Sequence, residues 1–440
     1  MTTISAPVAA RLVLAAAVSC LAMGQANAQY RGGPGAGVRA ASSGESVALW
    51  VAHTESSNVL RATDSMRDYY DSLGVLFDLT RNRERVQASL LGDLEYRMYG
   101  DDSASNEQVG SLGASLSTVL LPQRFTWSFR DNYLDGRTNP LGPETPDNRE
   151  RINVFETGPQ LDVPLGGRTS FSAGGTWRAR RYEESQLLDS DSVTYSVGIH
   201  RQVRPLTSVS LMADTTEAEY QTTDEKYDID GVRLVYQRAL ARGSAVASAG
   251  VNRLTIGLLE VDRPLFNVMW SRSLTGRMSL VLQADRQYTD AGTLLAESLD
   301  QPTAAPIDVT LSADPNDRRE ASADWSLSLD RTDISVQFTL FADDFEREDS
   351  LDSDGGRIGV DMLRRLTRVS AAGVSVHREQ RQFSNELDDN TDTVVRLRYS
   401  RGIGRVLDVE FDAQLTKRDG VGSFDERTLR ITLVYVPARR

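Results

Sequence analysis

Between residues 46 and 436 the chain alternates apolar and polar side chains in segments of about ten to fifteen residues. In 333–346, Ile334, Val336, Phe338 and Leu340 alternate with Ser335, Gln337 and Thr339. In 405–417, Leu407, Val409, Phe411, Ala413 and Leu415 alternate with Asp408, Glu410, Asp412, Gln414 and Thr416. In 124–136, Phe125, Trp127 and Phe129 alternate with Thr126, Ser128 and Arg130. Successive side chains of a strand point to opposite faces, so each segment reads as a strand with one apolar and one polar face.

Twenty strands are predicted, over 46–55, 69–81, 84–99, 107–120, 124–136, 150–163, 168–184, 190–203, 207–221, 227–239, 243–256, 263–273, 277–289, 318–330, 333–346, 355–365, 369–383, 391–400, 405–417 and 425–436. Short links such as 121–124, 204–207 and 401–405 alternate with longer polar ones such as 136–150 and 290–317. That rhythm holds from the first hairpin to the last. It predicts an all-β fold, a transmembrane antiparallel up-and-down β-barrel of 18–20 strands, with short turns at the periplasmic end and long loops outside. A carboxylate facing hydrocarbon is costly, so the charged rows must line the lumen. Twenty half-apolar strands with no helix to cover them favour closure.

The first residues read as a leader. Arg11 is a positive n-region, Leu12 to Met23 an apolar stretch, and Ala26-Asn27-Ala28 a cleavage site, giving a signal peptide over 1–28. Anchoring through Cys20 is disfavoured because Ala17-Val18-Ser19 is a poor lipobox. Cys20 is the chain's one cysteine, so the mature protein carries no disulfide and no thiolate site. Residues 29–45, rich in Gly and small side chains, form a flexible periplasmic lead-in, and 437–440 a short periplasmic tail. Seventeen lead-in residues are too few for a plug domain, which argues against an energised transporter.

A net charge of −13 excludes nucleic acid as a partner, which would need a basic face. All but two of the 49 basic residues are arginine, Lys226 and Lys417 being the exceptions. Trp50, Tyr69, Tyr96, Trp127, Trp177, Tyr195, Tyr236, Trp270, Trp325 and Tyr399 suit interfacial girdles facing outer-membrane lipid.

The charged rows are the candidate functional residues. Arg396 and Arg398 share the inferred lumen face with Asp408, Glu410 and Asp412 of the next strand. A turn at 401–404 would put Arg398 near Asp408 and Arg396 near Glu410, as a stabilising cross-strand ladder. Arg178, Arg180 and Glu184, then Asp93, Glu95 and Arg97, and Asp285 with Gln287, extend the set. Two uses are open: a ladder that keeps a polar lumen satisfied, or a transverse field that orients solutes. The acidic 290–317 link is either a surface loop or a constriction folded into the pore.

Catalytic chemistry is sparse. His53, His200 and His377 lie on different strands and lack metal-ligand spacing, so neither a metal nor a cofactor is expected. A minor alternative is a rim hydrolase using His200 or His377 with neighbours such as Asp191 or Glu379.

Leu429, Ile431, Leu433 and Tyr435 alternate in the last strand, resembling the signal read by the barrel-assembly machinery, with Pro437-Ala438-Arg439-Arg440 appended. With Thr54-Glu55-Ser56-Ser57-Asn58-Val59-Leu60-Arg61 and the strand from Tyr69 to Leu79, the chain resembles outer-membrane β-barrel porins, nearest the branch found with exopolysaccharide export and exosortase-type sorting. The resemblance implies a channel with a charged polar lumen in the cell outer membrane. It implies passage of polysaccharide or small polar solutes, export-complex proteins as partners, and no catalytic residues. A non-conducting assembly partner of a surface-polymer system is the alternative.

Overall fold

The computed structural model describes residues 46–101, 103–139, 142–143, 145–222, 226–289, 314–384 and 389–437. The predicted signal peptide, the 29–45 lead-in, most of the 290–317 link and the tail beyond Pro437 lie outside them.

Twenty strands form: β1 (Ser46–Ser56), β2 (Asp68–Asn82), β3 (Val86–Tyr99), β4 (Glu107–Leu121), β5 (Phe125–Gly136), β6 (Glu150–Gly166), β7 (Thr169–Tyr182), β8 (Ser190–Arg204), β9 (Thr207–Tyr220), β10 (Lys226–Leu240), β11 (Gly243–Ile256), β12 (Leu259–Thr275), β13 (Met278–Thr289), β14 (Asn316–Ser328), β15 (Thr332–Phe345), β16 (Ser353–Arg365), β17 (Ser370–Phe383), β18 (Asn390–Ile403), β19 (Leu407–Gly420) and β20 (Phe424–Tyr435). Each pairs antiparallel with its neighbour in sequence. β20 returns to β1 with Val434 opposite Trp50, which closes the wall and leaves no free edge.

Two departures from the expected strands have local causes. β12 begins at Leu259 rather than 263, because Gly257 adopts a left-handed φ of 59° and the turn shrinks to 257–258. β18 runs on to Ile403 and β19 starts at Leu407, with Gly404 at φ 74° in the turn. Leu397 therefore faces Ala413 and Arg398 faces Asp412. The register lies four residues from the one expected. An even shift leaves every side chain on its predicted face and changes only its neighbours.

The outward face is the apolar belt of a membrane-spanning barrel. Val51, Leu73, Ile199, Leu211, Leu234, Val268, Leu397 and Ile431 are all exposed there, about half of each side chain being open. Water would oppose such a surface, and lipid matches it. Tyr69, Tyr96, Trp177 and Tyr195 face out toward the loop end, and Tyr236 toward the turn end. Trp127, Trp270, Trp325 and Tyr399 lie on the same face by alternation, also toward the turns. Trp50 is a correction to the expected girdles. It points inward, is 2% exposed, and lies under the Arg430 guanidinium 4.8 Å away. Gly74 makes this possible: a Cβ there would come within 2.2 Å of the indole.

Among the described residues, two clusters of buried apolar side chains stand out. One is toward the loop end, where Tyr220, Tyr227, Leu254 and Tyr288 cluster. The other is at the closing seam, where Ala48, Trp50, Ala52 and Val434 meet.

Candidate conduction pathway

All ten predicted ladder residues, Asp93, Glu95, Arg97, Arg178, Arg180, Arg396, Arg398, Asp408, Glu410 and Asp412, occupy the inward face of their strands. Glu184, which was expected to extend the set, follows the end of β7 and is outside the wall strands. Asp285 remains inward on β13.

These charges meet acids or amides on their own side of the barrel. Arg398 Nε donates to Asp412 Oδ1 at 2.8 Å, and Arg396 donates to Gln414 Oε1 at 2.9 Å. Arg178 and Arg130 both reach Glu156, at 2.5 and 3.3 Å. Arg357 and Arg381 hold Glu379 at 2.8 and 3.6 Å, and Arg418 holds Asp392 at 2.5 Å. Arg97 bridges Glu95 and Glu107. Arg430 of β20 spans β1 and β2 to reach Glu95 of β3 at 3.2 Å, its guanidinium lying over the Trp50 ring. Charge-assisted contacts of this kind neutralise the wall locally, as a ladder does, rather than across the pore.

The opposite wall, β8 to β13, is built differently. Its inward residues are mainly Ser, Thr, Gly and short aliphatics. Hydroxyls pair across strands, Thr194 with Thr216 at 2.8 Å and Ser244 with Ser271 at 2.8 Å. Inward charge is sparse there, with Asp214 held by Arg233 at 3.1 Å.

His200 sits between two hydroxyls of this region, Nε2 2.7 Å from Ser172 Oγ and Nδ1 2.8 Å from Ser210 Oγ. Asp191 is not near it: that carboxylate faces outward at the loop end, bound to Arg181 at 2.9 Å. His377 Nε2 lies 3.2 Å from Asp361, while Glu379 belongs to Arg357. The expected hydrolase neighbours are therefore not brought to either histidine. Among the described residues no group of three or more His, Cys, Asp or Glu is arranged to hold a metal.

The element that sequence reasoning missed is the 137–149 link between β5 and β6. Asn148 stitches it together, accepting from Asn139 N at 2.6 Å and donating to the carbonyls of Asn139 and Pro143, both at 2.9 Å. Arg137 donates to Gly142 O at 2.8 Å. Arg149 anchors the far end on Glu107 at 2.5 Å. The link leans over the mouth. Pro143 lies beside Gly422 in the β19–β20 turn, 3.3 Å from where a Cβ would stand. Inward Ile152 and Val154 of β6 are wholly buried. Its one sequence signal was the Asn-Pro-Leu-Gly-Pro run over 139–143, which tightens a link without revealing its direction. The described end of the acidic 290–317 link does not line the pathway: Asp314 binds Arg347 and Asp317 binds Arg286 at the loop end.

The residues behind the family resemblance turn out to secure the seam. Asn58 is buried and exchanges hydrogen bonds with Ala62, its Nδ2 donating at 2.7 Å to the carbonyl. Ser56 Oγ and Arg61 Nε both donate to Glu426 of β20, at 2.8 and 2.9 Å. Ser57 Oγ accepts from Arg427 N at 2.9 Å. Arg61 has a left-handed φ of 48°, which turns its side chain back toward β20. The segment locks the first hairpin to the last strand.

No family model matches this chain, and no curated protein matches it. Solved structures similar to it include a BenF-like porin from Pseudomonas fluorescens Pf-5, at 10% identity over 89% of this chain and 99% of that one, with a TM-score of 0.38. OpdO of Pseudomonas aeruginosa is similar at 13% identity over 90% and 98%, with a TM-score of 0.39. The siderophore receptor PirA of Pseudomonas aeruginosa is similar at 7% identity over 90% and 81%, with a TM-score of 0.44.

Proposed function

We propose that this chain is a porin-like channel of the outer membrane for small polar solutes, with polysaccharide or its fragments as the more specific cargo. The observation that carries the proposal is the division of one closed wall into an apolar outward belt and a polar, charge-lined interior. The leader, the barrel-assembly machinery reading Leu429 to Tyr435, and export-complex partners belong to the same proposal. Solutes pass between the 137–149 link and the charged wall, where Arg357 and Arg381 hold Glu379.

A non-conducting scaffold for surface-polymer assembly is the second reading. It is favoured by the link that leans over the mouth and by the local pairing of the lumen charges. Single-channel recording of the refolded mature protein in a planar bilayer separates the two. A channel gives reproducible steps, and Arg396→Glu with Arg398→Glu moves its preference toward cations. Replacing 138–147 by a short Gly-Ser link enlarges the steps. Silence from protein shown to be inserted, with and without the link, supports the scaffold.

A further inference from the structure

Toward the loop end several outward arginines meet acids, Arg67 with Glu55, Arg181 with Asp191, Arg253 with Asp262 and Arg319 with Asp344, and in the turns Arg277 meets Asp330 and Arg365 meets Asp333. Toward the turn end, Arg81, Arg201, Arg238, Arg272, Arg364 and Arg401 face outward on six strands. All six are exposed, and among the described residues none has a carboxylate within ion-pair distance. The chain is acidic as a whole, so this collar of free cations is not a consequence of composition.

Its height is set by what lies above it. On three strands an outward aromatic precedes the arginine by two residues: Tyr236 before Arg238, Trp270 before Arg272, Tyr399 before Arg401. Amphipathic rings settle at the junction of hydrocarbon and headgroups, so the guanidinium groups two residues further on lie at the level of the phosphates.

At one place the collar borders a groove. Arg168 and Arg201 both line it where β7 meets β8, Arg201 opposite Thr169 and Gln202 N donating to Arg168 O at 2.8 Å. Beside them Ile199, Val203, Val209, Leu211 and Leu234 line an outer-surface groove of about 480 Å³, within the range of small-molecule sites.

We propose that this groove is a binding site for one glycerophospholipid of the periplasmic leaflet. Its phosphate is held by the Arg168 and Arg201 guanidinium groups and one acyl chain lies along Ile199, Leu211 and Leu234. Guanidinium forks match phosphate oxygens, and the aliphatic floor matches the chain. The choice of leaflet rests on the outer-membrane location proposed above, whereas the chemistry of the site does not.

The test uses the full mature barrel refolded in detergent and then given phosphatidylglycerol or a diacylglycerol with the same chains. Native mass spectrometry counts the lipids retained per barrel. One phosphatidylglycerol is expected to stay bound, with about tenfold weaker retention in the Arg168→Ala, Arg201→Ala double variant. Diacylglycerol should not be retained. Arg201→Lys should keep part of the binding, and Arg253→Ala, at the other rim, all of it. A heat-modifiable gel shift verifies that each variant is folded. Equal retention of diacylglycerol, or undiminished retention by the folded double variant, overturns the site. Failure of the barrel to insert into vesicles overturns the membrane location instead, so the two can be told apart.

Discussion

The two inner walls of the barrel solve one problem in different ways. From β16 round to β4 the lumen is lined by arginines and carboxylates in chains: Arg357 with Glu379, Arg398 with Asp412, Arg430 with Glu95, Arg97 with Glu107. From β8 to β13 it is lined by hydroxyls and small side chains, with pairs such as Thr194 and Thr216. Both pair inward polar groups across neighbouring strands. The charged wall does so with long side chains whose partners are specific, so removing one strands another. The hydroxyl wall does so with short groups that water can replace. Burial sharpens the difference, because Glu426 and Arg398 are almost fully enclosed.

Unfolding midpoints in urea put this contrast to the test. Glu426→Ala carries the largest expected cost, about 3 kcal/mol, because Arg61 and Ser56 lose a shared buried partner and the seam between β1 and β20 is weakened. A cost below that of a single hydroxyl would mean that the seam is held elsewhere. Asp412→Ala should cost about 2 kcal/mol through its charge-assisted bond to Arg398. Gly74→Ala tests the packing beneath the ladder. Its Cβ would collide with the Trp50 ring, and displacing the indole from under Arg430 should cost about 1–2 kcal/mol and change tryptophan fluorescence. Ser279→Ala is the smallest, about 1 kcal/mol or less, as its partner Ser326 is left facing a wet lumen. If Ser279→Ala matched Asp412→Ala, the two walls would be energetically alike.

Much of the barrel was legible in the chain. Twenty alternating segments became twenty strands, and the lumen face of every ladder residue followed from parity. Parity needs only the two-residue repeat of a strand, which each segment carries within itself. Neighbours were less legible. Arg398 was expected beside Asp408 and faces Asp412, because the position of the β18–β19 turn depends on Gly404 rather than on the apolar alternation. Trp50 looked like a girdle residue because an aromatic in a strand carries no mark of which solvent it meets. Its inward position depends on Gly74 of the adjacent strand and Arg430 beyond the seam. The 137–149 link was invisible as a pore element. Its direction is set by the contact of Pro143 with Gly422, hundreds of residues away.

The local alternation of side chains by itself determined that this protein is a large antiparallel barrel, which face of each strand is wet, and which end carries the tight turns. Those properties are local, since strand parity and turn chemistry act over a few residues. Tertiary structure alone decided who pairs with whom along the lumen wall, that Thr54 to Arg61 fastens the closing seam, and that a loop leans over the mouth. Those depend on register and on ring closure, which bring together residues from the two ends of the chain that no short-range rule connects.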